Sequence, residues 1–143
     1  MDTSDKILEA DWNIIKNCSS EIANATACGI DDRLLRGKLF SELCTLRAKY
    51  GRLPSILATQ ADYEDSEQQL SLLKEAYSAA CEIYDVKNKA YISSSLVEAY
   101  LENENENENE SDKLKFWLKT FYANILDYTD DYLEVLADEF KEL

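Results

Sequence analysis

Apolar residues recur at steps of three and four along most of the chain, the spacing that places side chains on one face of an α-helix. The first such stretch runs from about Ser4 to Ala25. Its apolar positions are Ile7, Leu8, Trp12, Ile15, Cys18, Ile22 and Ala25. Gly29 follows at a point suited to the left-handed residue that commonly ends a helix. We therefore predict a long first helix that ends shortly before Gly29.

A second helix is predicted before Gly51, and a short third helix begins at Pro54. Asp31 or Asp32 can cap the second helix, because a carboxylate accepts hydrogen bonds from the unpaired N–H groups of a first turn. Its apolar positions are Leu34, Leu35, Leu39, Leu43, Leu46 and Tyr50. The third helix is expected to run to about Tyr63, since the missing N–H of a proline is not needed in a first turn.

The pattern next predicts a pair of helices in the middle of the chain. Ser66 and Gln69 have the spacing of a capping box, in which each side chain bonds the backbone N–H of the other residue. The apolar positions that follow are Leu70, Leu73, Tyr77, Ala80, Cys81 and Tyr84. We predict a turn at residues 85–88, although no Gly or Pro enforces it, and a second helix of the pair at residues 89–101.

Residues 102–110 alternate Glu and Asn without an apolar side chain, so we predict a disordered, solvated loop there. Ser111 is expected to cap the helix that follows. A last helix is predicted from about Thr129 to Phe140, because acidic residues at its start complement the helix dipole. The alternative is that the preceding helix continues unbroken. The prediction is one all-α domain over residues 1–143 with six or seven helices.

Composition agrees with this all-α prediction. Only 3 Gly and 1 Pro occur in 143 residues, too few for the turns of a strand-rich fold. The amino terminus lacks a basic segment followed by an apolar stretch, and no apolar run approaches the roughly 18 residues of a membrane span. We therefore expect a soluble, cytoplasmic protein. In that compartment the four scattered cysteines are interpreted as core residues, with a Cys18–Cys28 disulfide as the alternative.

The middle of the chain also carries a family resemblance. The residues concerned are Leu73, Tyr77, Ala80, Leu96, Ala99 and Tyr100, together with segment 115–118. Over about residues 34–126 their order resembles that of the tetratricopeptide repeat (TPR), although Val97 stands where the family has glycine. The resemblance implies antiparallel helical hairpins stacked in a right-handed TPR-like array, and a role in protein binding. A helical bundle unrelated to that family is the alternative.

Candidate chemistry is sparse. The chain has no histidine, which excludes the usual neutral-pH acid–base group and the common nucleophile pairs. No glycine-rich phosphate-binding motif is present. Carboxylates cluster at Asp127, Asp130, Asp131 and Glu134, yet they lack the central glycine and final glutamate of a calcium loop. We predict no catalytic, cofactor or metal site, and hence no enzymatic activity.

Charge is distributed very unevenly. Residues 1–60 hold 8 acidic and 8 basic side chains, whereas residues 61–143 hold 21 acidic and 7 basic, so the second part carries the whole net charge of -14. This disfavours direct contact with nucleic acid or an anionic membrane. The basic residues of and near the second helix are interpreted as a solvated face or as internal partners for carboxylates: Arg33, Arg36, Lys38, Arg47, Lys49 and Arg52.

Two functional hypotheses follow from the charge and the helical pattern. The first is a TPR-like adaptor or chaperone-like binder that uses its acidic surface to bind another protein with a basic surface. The second is an acidic inhibitor, similar to an immunity protein or antitoxin, that neutralises a basic effector protein. The predicted partner-binding residues combine two aromatic anchors with a carboxylate rim. They are Asp127, Tyr128, Asp130, Asp131, Tyr132 and Glu134.

Overall fold

The computed structural model describes residues 7–102 and 108–143, and in those ranges it contains helices and no strand. Helices make up 82% of the described residues, which confirms the predicted all-α class. In order they are α1 (Glu9–Ala27), α2 (Arg33–Tyr50), α3 (Pro54–Ala61), α4 (Ser66–Glu82), α5 (Val86–Glu102), α6 (Glu108–Asp127) and α7 (Asp131–Phe140). Within the described ranges, none of these helices has the length and apolar character required to cross a bilayer.

Helices α1 and α2 form an antiparallel hairpin around a small core of their own. Its buried residues are Ile7, Ile15, Cys18, Ile22, Leu39, Leu43, Leu46 and Ile56. Gly29 has φ 69°, and the N–H of Ile30 donates to the carbonyl of Ala25 at 2.8 Å. This closure satisfies a last-turn carbonyl and confirms the predicted helix end at Gly29. Of the described helices, α1 packs against α2 alone, so α2 and the start of α3 connect the hairpin to the rest of the protein.

The larger core surrounds α5. This helix packs against α4 on one side and α6 on the other, and α3 and α7 also contact it. The largest side chains of this core are Leu57, Leu73, Ile92, Leu96, Tyr100, Trp117, Phe121, Leu133 and Phe140. Burying so many apolar groups is the main stabilising contribution in a helical protein of this size. The core therefore fixes α3 to α7 around α5.

Several polar groups inside this core are paired within or between helices, whereas the buried hydroxyl of Tyr100 in α5 has no hydrogen-bond partner among the described residues. Ser93 is buried, and its hydroxyl donates to the carbonyl of Ala90 at 2.9 Å. The amide of buried Asn124 in α6 donates to the Tyr77 hydroxyl at 3.0 Å and to the Ser93 hydroxyl at 3.3 Å. These bonds offset the cost of removing polar groups from water, and they tie α4, α5 and α6 together.

The start of α4 differs from the predicted capping box. Its N-cap is Asp65, whose carboxylate accepts the N–H of Gln68 at 3.2 Å, so Ser66 is already the first helical residue. The amide of Gln69 donates instead to the carbonyl of Ala61 at the end of α3, at 3.2 Å. Either Asp or Ser can cap a helix, and the spacing of the sequence did not distinguish the two neighbours.

The turn between α4 and α5 lies two to three residues earlier than predicted. Tyr84 has φ 56°, and the N–H of Asp85 donates to the carbonyl of Ala80 at 2.9 Å. The buried carboxylate of Asp85 then accepts the N–H of Asn88 in the first turn of α5 at 3.0 Å. A left-handed residue thus ends α4, as glycine usually does, although here that residue is a tyrosine.

The boundaries of α6 also correct the prediction. The helix begins at Glu108, three residues before Ser111, so the predicted loop at 102–110 extends too far in both directions. Glu102 is the last residue of α5, and residues 103–107 lie outside the described ranges. The break between α6 and α7 is present, at residues 128–130.

Several predicted core positions are exposed. Leu34 keeps 91% of its surface exposed, because it lies on the outer side of the first turn of α2. All four cysteines are free thiols, and only Cys18 is buried, whereas Cys28, Cys44 and Cys81 are exposed. The interpretation of the cysteines as core residues was therefore wrong for three of them.

Replacing Tyr84 by Gly is expected to stabilise the protein. A side chain in the left-handed region costs about 1–2 kcal/mol, whereas glycine adopts that conformation without a steric penalty. Tyr84 is 85% exposed, so its ring contributes little packing that the substitution would remove. We expect a gain of about 1 kcal/mol in the free energy of unfolding, measured by urea denaturation.

Tyr84→Ala is the matched control, because alanine removes the ring but keeps the Cβ that causes the strain. The alanine variant should be no more stable than the wild type. An equal gain from both substitutions would mean that the tyrosine ring, and not the backbone conformation, carries the cost.

Candidate functional site

A pocket of about 330 Å³ lies on the surface formed by the end of α3, the start of α4, the second half of α5 and the start of α7. The lining is mostly polar and includes three carboxylates. The residues are Asp62, Gln69, Leu73, Ser95, Glu98, Ala99, Glu102 and Tyr132. Among these described residues none is basic. This is the strongest candidate for a functional site.

Helix direction explains why the carboxylates gather there. Helices α3 and α5 end at the same side of the molecule, since Asp62 at the C-cap of α3 and Glu102 at the end of α5 line the same pocket. Helix α7 runs in the same direction as α5. Its start contacts Tyr91, and Glu139 in its last turn acts electrostatically on Glu98. The partial negative charges at the ends of α3 and α5 add to the field of the carboxylates, whereas the partial positive charges at the starts of α4 and α7, which also reach the pocket, oppose it.

The pocket carboxylates hold their negative charges at a cost. Burial raises the pKa of Glu98, and the neighbouring charges of Glu102 and Glu139 raise it further. Burial alone raises the pKa of Asp62. Both effects disfavour the charged form, because desolvation and like charges oppose ionisation. A positively charged ligand in the pocket would stabilise the charged form of both carboxylates.

Tyr132 connects the pocket to the outer surface of α7. Its ring stacks on Tyr91 of α5, with the ring centroids 6.1 Å apart and an interplanar angle of 17°. The side chain remains 55% exposed, so the ring also presents surface to solvent. Burial of its hydroxyl raises the pKa of Tyr132, and nearby carboxylates, first among them Glu98, raise it further. The hydroxyl therefore stays protonated and can donate a hydrogen bond.

The outer surface of α7 combines this tyrosine with an apolar side chain and a rim of carboxylates. Val135 is three residues from Tyr132, which puts the two on the same side of the helix, and it is 56% exposed. Asp131, Glu134 and Asp138 are exposed on the same helix, which contains no basic residue between Asp131 and Phe140. Lys141, just after the helix, pairs with Asp138 at 3.1 Å. We call Tyr132, Val135 and this rim the α7 face.

The predicted partner-binding residues fall into two groups. Tyr132 lines the pocket, and Asp131 and Glu134 lie exposed beside it in the first turn of α7. Asp127 is also exposed, at the end of α6. The other two residues, Asp130 and Tyr128, make contacts within the protein, so substituting them would not test binding alone.

Asp130 is the N-cap of α7. Its carboxylate accepts the N–H of Leu133 at 2.9 Å and the hydroxyl of Tyr91. Tyr128 is half-buried, with its ring centroid 6.2 Å from that of Tyr91 and 6.0 Å from the ammonium of Lys87. Changes at Asp130 or Tyr128 would therefore disturb the start of α7 as well as the surface.

Sequence reasoning missed the pocket carboxylates. Glu98 and Glu102 are four residues apart, which places them on one side of a helix, and this signal was available. Nothing in the sequence relates Asp62 to them, because α4 intervenes between α3 and α5. The packing of α3 against α5 brings the three together.

The arrangement is suited to binding a positive group. Among the described residues, no set of three or more Cys, Asp or Glu side chains is arranged to hold a metal ion. The carboxylates of the pocket can accept hydrogen bonds from a cationic group and form ion pairs with it. The α7 face adds an apolar contact next to it.

Comparison with known proteins returns no match: no protein-family model, curated protein or solved structure matches this chain. The TPR-like arrangement predicted for residues 34–126 therefore stays a prediction.

The raised pKa of Glu98 predicts a pH-dependent stability effect. A group whose pKa is raised by folding favours the folded state below its unfolded pKa, and this contribution is lost as the pH rises through the folded pKa. Glu98→Gln should therefore raise the melting temperature at about pH 7.5, where wild-type Glu98 is charged. The gain should shrink toward about pH 4, where wild-type Glu98 is protonated.

Glu21→Gln is the matched control, because Glu21 is exposed on α1, which contacts α2 alone. It removes one negative charge away from the pocket. Asp11 and Asp31 have the opposite sign: hydrogen bonds to Lys49 and Arg33 lower their pKa values, so their stabilising contribution is present above about pH 4 and is lost as the pH falls further. Equal pH profiles for the Glu98 and Glu21 variants would mean that the pocket does not strain Glu98.

Proposed function

We propose that this protein is a non-enzymatic interaction module that binds another protein with a basic surface through the α7 face and the adjoining pocket. The observation that carries the proposal is the exposure of Tyr132 and Val135 next to a pocket with three carboxylates and no basic lining residue. Interfaces use aromatic anchors inside a polar rim. The absence of histidine agrees with a binding role rather than a catalytic one.

We further propose that α3 to α6 form a TPR-like array of helical hairpins. Consecutive helices in this segment pack against each other. At the family positions noted in the sequence, Leu73 and Ala80 are buried, and Tyr77 packs edge-to-face on Trp117 with 5.1 Å between ring centroids. In this arrangement α7 packs against α5 and α6 and presents its outer face to the partner.

The uneven charge supports electrostatic steering of the partner. Three basic residues of the α1–α2 hairpin have intramolecular carboxylate partners: Arg33 pairs with Asp31 at 2.7 Å, Arg36 with Asp32 at 2.9 Å and Lys49 with Asp11 at 2.7 Å. In contrast, the pocket carboxylates lie beside one another without a basic lining residue. A concentrated negative field raises the rate at which a basic protein encounters the surface.

The same charge concentration favours an inhibitor as a second candidate. An acidic protein that mimics the charge of a nucleic acid can block a basic nuclease-type effector. Such an inhibitor should bind one folded basic protein tightly, with an association rate that falls steeply with salt. An adaptor should bind a short peptide and tolerate moderate salt. Isolated peptides of the captured partner therefore distinguish the two.

Neutralising the rim and truncating the anchor should affect different rate constants. The test begins with affinity capture from native lysate, and the captured protein is then expressed for biosensor kinetics. Asp131→Asn with Glu134→Gln should slow association and reduce its salt dependence, because rim charges act on the encounter. Tyr132→Ala should speed dissociation and cost about 2 kcal/mol of binding free energy.

The control for charge is Glu21→Gln with Glu42→Gln, which removes the same charge from the α1–α2 hairpin. Asp130 is left intact because it caps α7. Every variant must retain the wild-type melting temperature, since loss of the Tyr132–Tyr91 stacking can loosen α7. Wild-type kinetics for the folded rim and anchor variants would contradict the proposal.

A further inference from the structure

The α7 face and the pocket form a continuous surface, because Tyr132 belongs to both. One side of the Tyr132 ring is covered by Tyr91, while more than half of the side chain stays exposed. Val135 extends the apolar contact along α7. A partner that covers the valine and the tyrosine ring therefore reaches directly into the pocket.

Charge complementarity restricts what can occupy this surface. The pocket contains Asp62, Glu98 and Glu102, and Glu139 adds a fourth negative charge acting on Glu98. An anionic or neutral polar side chain would not relieve this potential, whereas a cationic side chain would.

The size and lining of the pocket favour arginine. A volume of about 330 Å³ lies at the small end of ligand pockets, which suits one long side chain. A guanidinium offers five donors in a planar fork, is less strongly hydrated than an ammonium, and stacks on aromatic rings. The protein already contains a cation–π contact of this kind, with the guanidinium carbon of Arg36 5.4 Å from the centroid of the Tyr63 ring. Tyr132 offers a similar ring beside carboxylates.

We propose that the pocket and the α7 face dock a short segment of the partner protein that carries an arginine flanked by apolar residues. The arginine lies in the pocket against Glu98, Glu102 and Asp62, with its guanidinium beside Tyr132, and an apolar neighbour covers Val135. This rests on the proposed interaction function and specifies the chemistry of the partner.

The test uses defined probes and the full chain, and does not require the natural partner. N-acetyl-arginine methylamide is titrated into the isotope-labelled protein, and backbone amide shifts are followed by NMR. We expect saturable shifts at Gln69, Glu98, Ala99 and Tyr132. The neutral isostere N-acetyl-citrulline methylamide should give none, and N-acetyl-lysine methylamide should bind more weakly. A lysine derivative that binds as tightly as the arginine derivative would overturn the choice of arginine.

Pocket and face variants separate the two parts of the docking surface. Glu98→Gln with Glu102→Gln should weaken binding of the arginine derivative about tenfold, because charge-assisted hydrogen bonds are lost. Glu21→Gln with Glu42→Gln should leave it unchanged. An acetylated peptide Ala-Leu-Arg-Leu-Ala should bind several-fold more tightly than Ala-Ser-Arg-Ser-Ala. Val135→Ser should abolish that gain without weakening the serine peptide.

Several results would overturn the inference. Shifts spread over all acidic surfaces, or equal losses in both pairs of variants, would indicate nonspecific attraction. Pocket shifts with millimolar calcium that match those of the arginine derivative would indicate a cation site instead. Amide shifts on the α7 face that grow with protein concentration would indicate that a second copy of this chain covers it.

The experiments also distinguish failure of arginine docking from failure of the proposed interaction function. A captured partner that is sensitive to Tyr132→Ala and to the rim variant, but whose affinity is unchanged by Glu98→Gln with Glu102→Gln, would support the interaction module and overturn the arginine docking. If the captured partner loses binding to the Tyr132 variant, the rim variant and the pocket variant, and the wild-type pocket binds the arginine derivative, both the interaction function and arginine docking are supported.

Discussion

Helix α5 lies against α3, α4, α6 and α7, and its burial constrains how these four helices pack. A helix covered on so many sides has to be apolar or small, and its polar groups need partners close at hand. Ser93 meets this requirement by bonding the carbonyl of Ala90 in its own helix, and Asn124 meets it by linking Ser93 with Tyr77. The hydrogen bonds of these residues hold α4, α5 and α6 in one mutual arrangement, because a different packing would leave buried donors unpaired.

The candidate site follows from the same packing. Helices α3 and α5 end at one side of the molecule, where Asp62 and Glu102 line the pocket together with Tyr132 from the start of α7. Desolvation, and after it the neighbouring charges of Glu102 and Glu139, raise the pKa of Glu98, so its charged form opposes folding. Residues that strain the folded state without stabilising the core are characteristic of binding sites. The large core around α5 offsets this cost.

The amino-terminal hairpin has a different electrostatic character. There, Asp11 accepts hydrogen bonds from Lys49 at 2.7 Å and from the Tyr50 hydroxyl at 2.5 Å, so opposite charges are paired between α1 and α2. Arg52 continues this pattern with Glu75 of α4 at 2.7 Å and joins the hairpin to the larger core. The protein therefore combines one part in which acidic and basic side chains are balanced with one part that carries the whole net charge of -14.

The sequence by itself determined the helical class, most helix positions and the location of the net charge. These features depend on local spacing and composition, and the end of α1 at Gly29 was predictable because left-handed closure strongly favours glycine. The α4–α5 turn was misplaced because its left-handed residue is Tyr84, which carries no such signal. The cap of α4 was assigned one residue late because Asp65 and Ser66 are both competent caps.

Tyr132 was identified as a partner-binding candidate from its aromatic ring among carboxylates. Only the tertiary structure showed that Asp130 has a different role, as the cap of α7, and that Tyr132 lines one pocket with Asp62, Glu98 and Glu102. The pocket depends on contacts between helices far apart in the chain, and residue spacing within one helix contains no information about which helices become neighbours.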